Sequence, residues 1–216
     1  MTEEGSLRER LVDAGVELVL AEGSGSVGLR EIARRAGVSH GAPRRHFPTH
    51  QALLSAVARR GFEDLGARFE AAAAGAGTPR GRVTALARAY VTYAQERRGM
   101  FELMFRHDLL DGAARSADRP RLREATLPLF GQLTELVARC RPERAAGHRA
   151  DGPDAAPPAV TAAALWANLH GLAQLWAWGS LPLALGETPP GGAPGDDPRD
   201  ALLAAVLDAH LGPVPA

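Results

Sequence analysis

Residues 29–53, LREIARRAGVSHGAPRRHFPTHQAL, hold two short helical patterns separated by Gly37, and no other stretch restricts the fold as tightly. Leu29, Ile32, Ala33 and Ala36 recur at i, i+3, i+4 and i+7, the spacing of one helix face, and the opposite face carries Arg30, Arg34 and Arg35. The first helix therefore packs inward, stays basic outward and stops at Ala36. Gly37 follows where a left-handed C-cap costs a glycine little, and Val38 then turns back onto the core. Ser39 has a hydroxyl suited to accept a backbone N–H, so it is expected to cap a second short helix ending near His46. His40, Gly41 and Ala42 lead that helix, and its two small residues leave the backbone open to close approach. Phe47 anchors the exit, Pro48 ends the helix and Thr49 caps the next one.

Charge follows the same segment. The formal net charge is zero, and all 25 cations are arginine. Between residues 28 and 60 seven arginines stand against one acid, Glu31, with three histidines besides, while from residue 61 onward sixteen arginines meet eighteen acids. A local basic patch on a neutral chain suits a polyanion at one end only. Two short helices around a glycine bend, with cations outward, have the form of a DNA-binding helix-turn-helix.

These residues resemble the TetR family of bacterial transcriptional regulators. The resemblance is carried by Ile32, Ala33, Gly37, Val38, Ser39, His46, Phe47, Ala52, Leu53 and Leu54, and is specific over residues 7 to 60. It implies an all-α fold: an N-terminal three-helix helix-turn-helix domain, then a C-terminal helical bundle with a ligand pocket and a four-helix dimer interface. The expected domains are 5–62 for DNA and 63–216 for effector binding and dimerisation. The implied function is a ligand-responsive repressor that binds a palindromic operator as a homodimer and leaves it when a small effector binds. On this reading Arg30, Ser39, Arg44, Arg45, His46 and His50 meet phosphates, while His40, Gly41 and Ala42, joined by Arg45, lie against base edges. Two positions depart from the family pattern. Arg44 stands where tyrosine is usual and brings a stronger charge to the phosphate; His50 stands where lysine is usual and replaces a fixed cation by a titratable one. Pro43 occupies the first turn of the recognition helix, where a missing N–H costs least.

The rest of the chain reads as helices and loops. Leu7, Leu11, Ala14, Leu18 and Ala21 make an amphipathic opening helix that ends near Gly23 and completes the three-helix head. From Thr49 a longer helix uses Leu53, Val57, Leu65 and Phe69 and links head to body; a further one uses Val83, Ala87, Tyr90 and Ala94. Residues 100–110 form a short Met- and Phe-rich element. Residues 122–140 form another amphipathic run, which Pro128 is expected to bend or delay. Residues 142–158 and 186–198 are rich in Gly, Pro and charge and read as mobile loops, and residues 198–211 close the chain as a helix.

Residues 155–186 contain no Asp, Glu, Lys or Arg. Asn168, His170 and Gln174 fall in the middle of this stretch and prolines bracket it, which argues against a membrane span and for a helix buried in a bundle or an interface. Trp166, Asn168, Leu169, His170, Gly171, Leu172, Trp176 and Gly179 resemble the tryptophan-histidine-glycine signature of a subset of TetR-type C-terminal domains. That resemblance implies a dimer seam built from residues 158–179 and 198–211, setting two recognition helices about 34 Å apart or more across a two-fold axis. For the effector, Met100, Phe101, Met104 and Phe105 offer an adaptable apolar cluster, and Trp166 with His170 a wall and a polar handle for a small apolar molecule.

Other patterns lack their context. Residues 23–28, GSGSVG, satisfy G-x-G-x-x-G but follow a helix rather than a strand, so they read as a turn. His40, His46 and His50 lie close in sequence, yet Phe47 and Pro48 break any shared helix face, so no metal site is expected. Cys140 is the single cysteine, with no partner base in view, and rules out an internal disulfide. No catalytic set and no cofactor motif is present. The polar, acidic start MTEEGSLRER is unlike a signal peptide, and with the single thiol it points to a cytoplasmic protein. The competing classes are a small helical enzyme using His170 or Cys140 and a helical interaction module that binds no DNA.

Overall fold

The computed structural model describes residues 3–106, 110, 122–145, 156–186 and 197–214, and no strand occurs among them. Ten helices are described: α1 (Glu3–Glu22), α2 (Leu29–Arg35), α3 (Ala42–His46), α4 (His50–Ala74), α5 (Pro79–Glu96), α6 (Arg98–Met104), α7 (Leu122–Ala145), α8 (Pro158–Ala177), α9 (Ser180–Leu185) and α10 (Pro198–Leu211). They cluster into two compact units. The first holds residues Met1–Leu65 with Glu96–Leu127, and the second holds Gly66–Gln95 with Pro128–Ala216.

In the first unit most of the stripe read from the sequence is the core: Leu11, Ala14, Leu18, Ile32, Ala33, Phe47, Leu53 and Val57 are buried, while Leu7 and Leu29 are half-buried and Ala21, at the end of α1, is exposed. Burying the leucine, isoleucine, valine and phenylalanine side chains among them is worth about 1.5–3 kcal/mol each against an exposed reference, before chain entropy is counted. Gly23 ends α1, its N–H bonding to the Val19 carbonyl at 3.0 Å, and Ser24–Ser26 form a single 3-10 turn where the glycine-rich string was read as a turn. α6 closes onto the same core. A Cβ on Gly99 would stand 2.5 Å from the Val19 carbonyl oxygen and 2.8 Å from the Gly23 Cα, so only glycine lets α6 lie this close to the end of α1. Ser24 adds a hydroxyl bond to Glu102 at 3.2 Å.

In the second unit, α8 packs against both α10 and α9. Asp197 caps α10, its carboxylate accepting the Arg199 backbone N–H at 2.9 Å, and the Arg199 guanidinium holds that carboxyl below its usual range. Two expectations are corrected here. Pro128 does not delay its helix, since α7 begins at Leu122 and passes through an exposed Pro128. Pro182 does not close the uncharged segment either: Gly179, at φ 79°, breaks α8, and α9 restarts with Pro182 in its first turn, where no helical partner is lost. Of the two stretches read as loops, 142–145 belong to α7, while 146–155 and 187–196 lie outside the described residues. No helix among the described residues is long and apolar enough to cross a membrane.

Candidate nucleic-acid interface

α2 ends as its sequence dictates. Gly37 adopts φ 68°, its N–H bonds to Arg34 O at 3.2 Å, and the Val38 N–H reaches back to Ala33 O at 3.0 Å, the paired bonds of a Schellman turn. The entry into α3 differs from expectation. Ser39 is not a side-chain cap: Gly41 is the N-cap residue, with φ −84° and ψ −18° and no side-chain cap bond, and the Ser39 carbonyl takes the Ala42 N–H at 3.0 Å. Residues 39–42 thus form a backbone turn that leads straight into Pro43, whose fixed φ suits the first helical turn and whose missing N–H needs no cap. Pro43 and Phe47 face inward, the latter 1% exposed. Thr49 caps α4 as expected, its hydroxyl accepting the Ala52 N–H at 3.0 Å, a bond worth about 1 kcal/mol.

Outward, Ser39, His40, Gly41, Arg44 and Arg45 are exposed, with Ala42 and His46 half-buried. A Cβ on Gly41 would meet nothing within 4 Å, and its φ suits any residue, so neither packing nor backbone requires glycine there. The basic residues divide sharply. Arg34 forks onto Glu31, donating Nε at 2.9 Å, and the bond holds the Glu31 carboxyl below its usual range. Arg35 meets Glu22 at 2.8 Å, and Arg60 is enclosed by Glu9, Asp13 and Glu63. Arg30, Arg44 and Arg45 are exposed and, among the described residues, enter no ion pair. With Arg59 half-buried on α4, the seven-arginine patch narrows to the start of α2 and to α3. His50 sits half-buried with Nε2 2.6 Å from the Val27 carbonyl oxygen, so that nitrogen is engaged inside the unit.

Two sequence profiles match this architecture: residues 11–57 match the bacterial regulatory proteins of the tetR family, and residues 83–210 match the tetracyclin repressor-like C-terminal domain. The chain belongs to the TetR family. That family is one of transcriptional regulators rather than enzymes. The chain is 40% identical over 81 residues to the HTH-type transcriptional regulator BetI of Rhizobium meliloti, a match spanning 38% of this chain and 40% of BetI, well under half of each. A solved protein of unknown function from Rhodococcus sp. RHA1 is 31% identical, covering 97% of this chain and 96% of its own, with a TM-score of 0.69. RolR, solved in complex with resorcinol, shares the fold at 18% identity, with a TM-score of 0.62 and coverage of 96% and 89%.

The residues expected around a TetR-type effector fall in both units. Met100, Phe101, Met104 and Phe105 belong to the first, where the first three are buried. The sulfurs of Met104 and Met100 stand 2.7 and 2.9 Å from where a Cβ on Gly61 would be, and Phe105 packs edge-on against Phe62 and Phe101 at centroid distances of 5.6 and 5.0 Å. Trp166 and His170 belong to the second unit and meet there through a residue that the sequence read only as core. The buried Tyr90 hydroxyl accepts the Trp166 Nε1–H at 3.2 Å and lies 2.8 Å from His170 Nδ1. Burial pushes the Tyr90 phenol up and the His170 imidazole down, so both are neutral near pH 7. Also unforeseen is a groove of about 410 Å³ along α4 and α5, lined by Arg68, Ala72, Ala85, Arg88, Ala89 and Thr92.

Proposed function

We propose that this chain is an effector-released repressor that reads a palindromic operator as a two-fold dimer, with residues 5–62 as the DNA-binding domain and 63–216 as the effector and dimer domain. The observation that carries the reading is the outer face of α3, where Arg44 and Arg45 are exposed and, among the described residues, enter no ion pair, beside a glycine whose φ and surroundings would admit any residue. Arg30, Ser39, Arg44, Arg45 and His46 take phosphates, and His40, Gly41 and Ala42 lie against base edges. His50 gives its Nε2–H to the Val27 carbonyl, so it meets a phosphate only when Nδ1 also carries a proton. The dimer reading is supported by α8 and α9, where Val160, Leu175, Trp178 and Leu183 are exposed on an uncharged stretch, the kind of surface a second copy covers.

The effector reading centres on Trp166, His170 and Tyr90. Three neutral groups on and beside a helix without charge favour an uncharged molecule with a flat apolar body, as resorcinol is for RolR. Met100, Phe101, Met104 and Phe105 then serve the packing of α6. Such a ligand acts only by binding more tightly to a conformation whose two recognition helices no longer fit the groove spacing.

The test is a gel shift of the wild type and of Gly41→Val with duplex DNA from beside its own gene. The wild type should give a discrete, competitor-resistant complex of dimer mass. Gly41→Val should weaken it about tenfold or more with an unchanged melting temperature, one unfavourable base-edge contact being worth about 1–3 kcal/mol. Equal binding by the variant would remove α3 from the interface.

A further inference from the structure

α3 has five residues and no side-chain cap, far too little to hold a helix by itself, so its position must come from neighbours. Part of that support is the inward pair Pro43 and Phe47. α2 and α1 both pack against it, and α1 in addition sends a guanidinium to either end of the recognition segment. Arg10 donates Nη2 to the Ala36 carbonyl oxygen at 2.6 Å, immediately before the glycine turn. That oxygen is not used by the turn, since the Gly37 and Val38 N–H groups go to Arg34 and Ala33. A cation at the last carbonyls of α2 also meets the negative end of its dipole. Arg8 lies with its guanidinium carbon 5.1 Å from the centroid of the Phe47 ring, the residue immediately after α3.

The placement follows from α1 itself. Leu11 is fully buried, and at about 100° per residue Arg8 lies about 60° to one side of it and Arg10 about 100° to the other. One apolar stripe thus carries an arginine along each edge. We propose that Arg8 and Arg10 are positioning residues, a two-ended clamp that fixes the angle of α3, and that neither neutralises a phosphate. Arginine is required in different ways at the two ends. At Ala36 any side chain that donates a hydrogen bond from a cation serves, whereas over Phe47 the planar group stacks as an ammonium does not.

The DNA readout rests on the operator reading above; the amide readout does not. Full-length wild type, Arg8→Gln, Arg10→Gln, Arg8→Lys and Arg10→Lys would be compared on a duplex that the wild type selects from a random-sequence pool and on a scrambled duplex. Both glutamine variants should lower the ratio of selected to scrambled affinity about tenfold while the salt dependence keeps its slope. Arg10→Lys should restore the ratio and Arg8→Lys should not. Amide exchange of residues 42–47 should rise in both glutamine variants while that of residues 53–62 stays level, which separates a loosened α3 from a failed fold. A slope lower by about one with an unchanged ratio would make these arginines phosphate ligands, and unchanged exchange at 42–47 would dismiss the clamp. If the wild type selects no sequence, the operator reading fails and the exchange data alone decide the clamp.

Discussion

The two units use their polar side chains in opposite ways. On α3 Arg44 and Arg45 are exposed and, among the described residues, enter no ion pair, whereas Tyr90, Trp166 and His170 turn on one another and are neutral. α2 stands between these extremes: it is as arginine-rich as α3, yet Arg34 and Arg35 are occupied by Glu31 and Glu22. The lesson is that local charge density does not identify an interface. What does is charge that the fold has left uncompensated, and by that measure α3 rather than α2 is the surface proposed to meet a polyanion.

The contrast can be broken most severely at α3. Replacing Arg44 and Arg45 together by alanine should cost affinity on the order of a hundredfold on any duplex and lower the salt slope by about two, one per phosphate contact. An unchanged slope would show that these cations never meet the backbone.

The neutral cluster gives a smaller effect of a definite sign. Because burial lowers the His170 pKa in the fold, the unfolded chain takes up a proton first as pH falls below the ordinary histidine value of 6.5. Stability from this group is therefore complete above that value and declines below it, until the folded form also protonates. His170→Gln should flatten this part of the melting-temperature profile, and an identical acid decline in the variant would place the proton elsewhere.

The smallest effect sharpens the comparison within the helix-turn-helix. Arg34→Ala should change DNA affinity by less than about twofold, because an exposed pair with Glu31 already absorbs its charge. A loss equal to that of Arg44→Ala would erase the distinction between the two helices.

Local features were legible in the sequence, and features made by distant residues were not. Gly37 and Thr49 each do what their residue type does best, one entering the left-handed region and the other capping a helix, so both could be read from a few neighbours. Ser39 misled because the hydroxyl signal is generic, while the adjoining Gly41-Ala42-Pro43 supplied a backbone turn that made the cap unnecessary. α9 went unread because a proline inside an apolar run marks a stop as readily as a start. The pairing of Arg35 with Glu22 and the meeting of Tyr90 with His170 join residues 13 and 80 positions apart. No periodicity reports such contacts. The tilt of α3 belongs with them, since part of its support comes from α1.

Pro43 and Phe47 fill the interior while His40, Gly41, Arg44 and Arg45 contribute nothing to it. The short helix is in effect two independent texts on one backbone, one addressed to the fold and one to the outside. Evolution, or a designer, is free to rewrite the second without disturbing the first. On the proposed reading, a lineage with this scaffold acquires a new target sequence through changes at the base-edge positions His40 and Gly41, which the core does not use, and divergence of binding preference is the easiest path open to it.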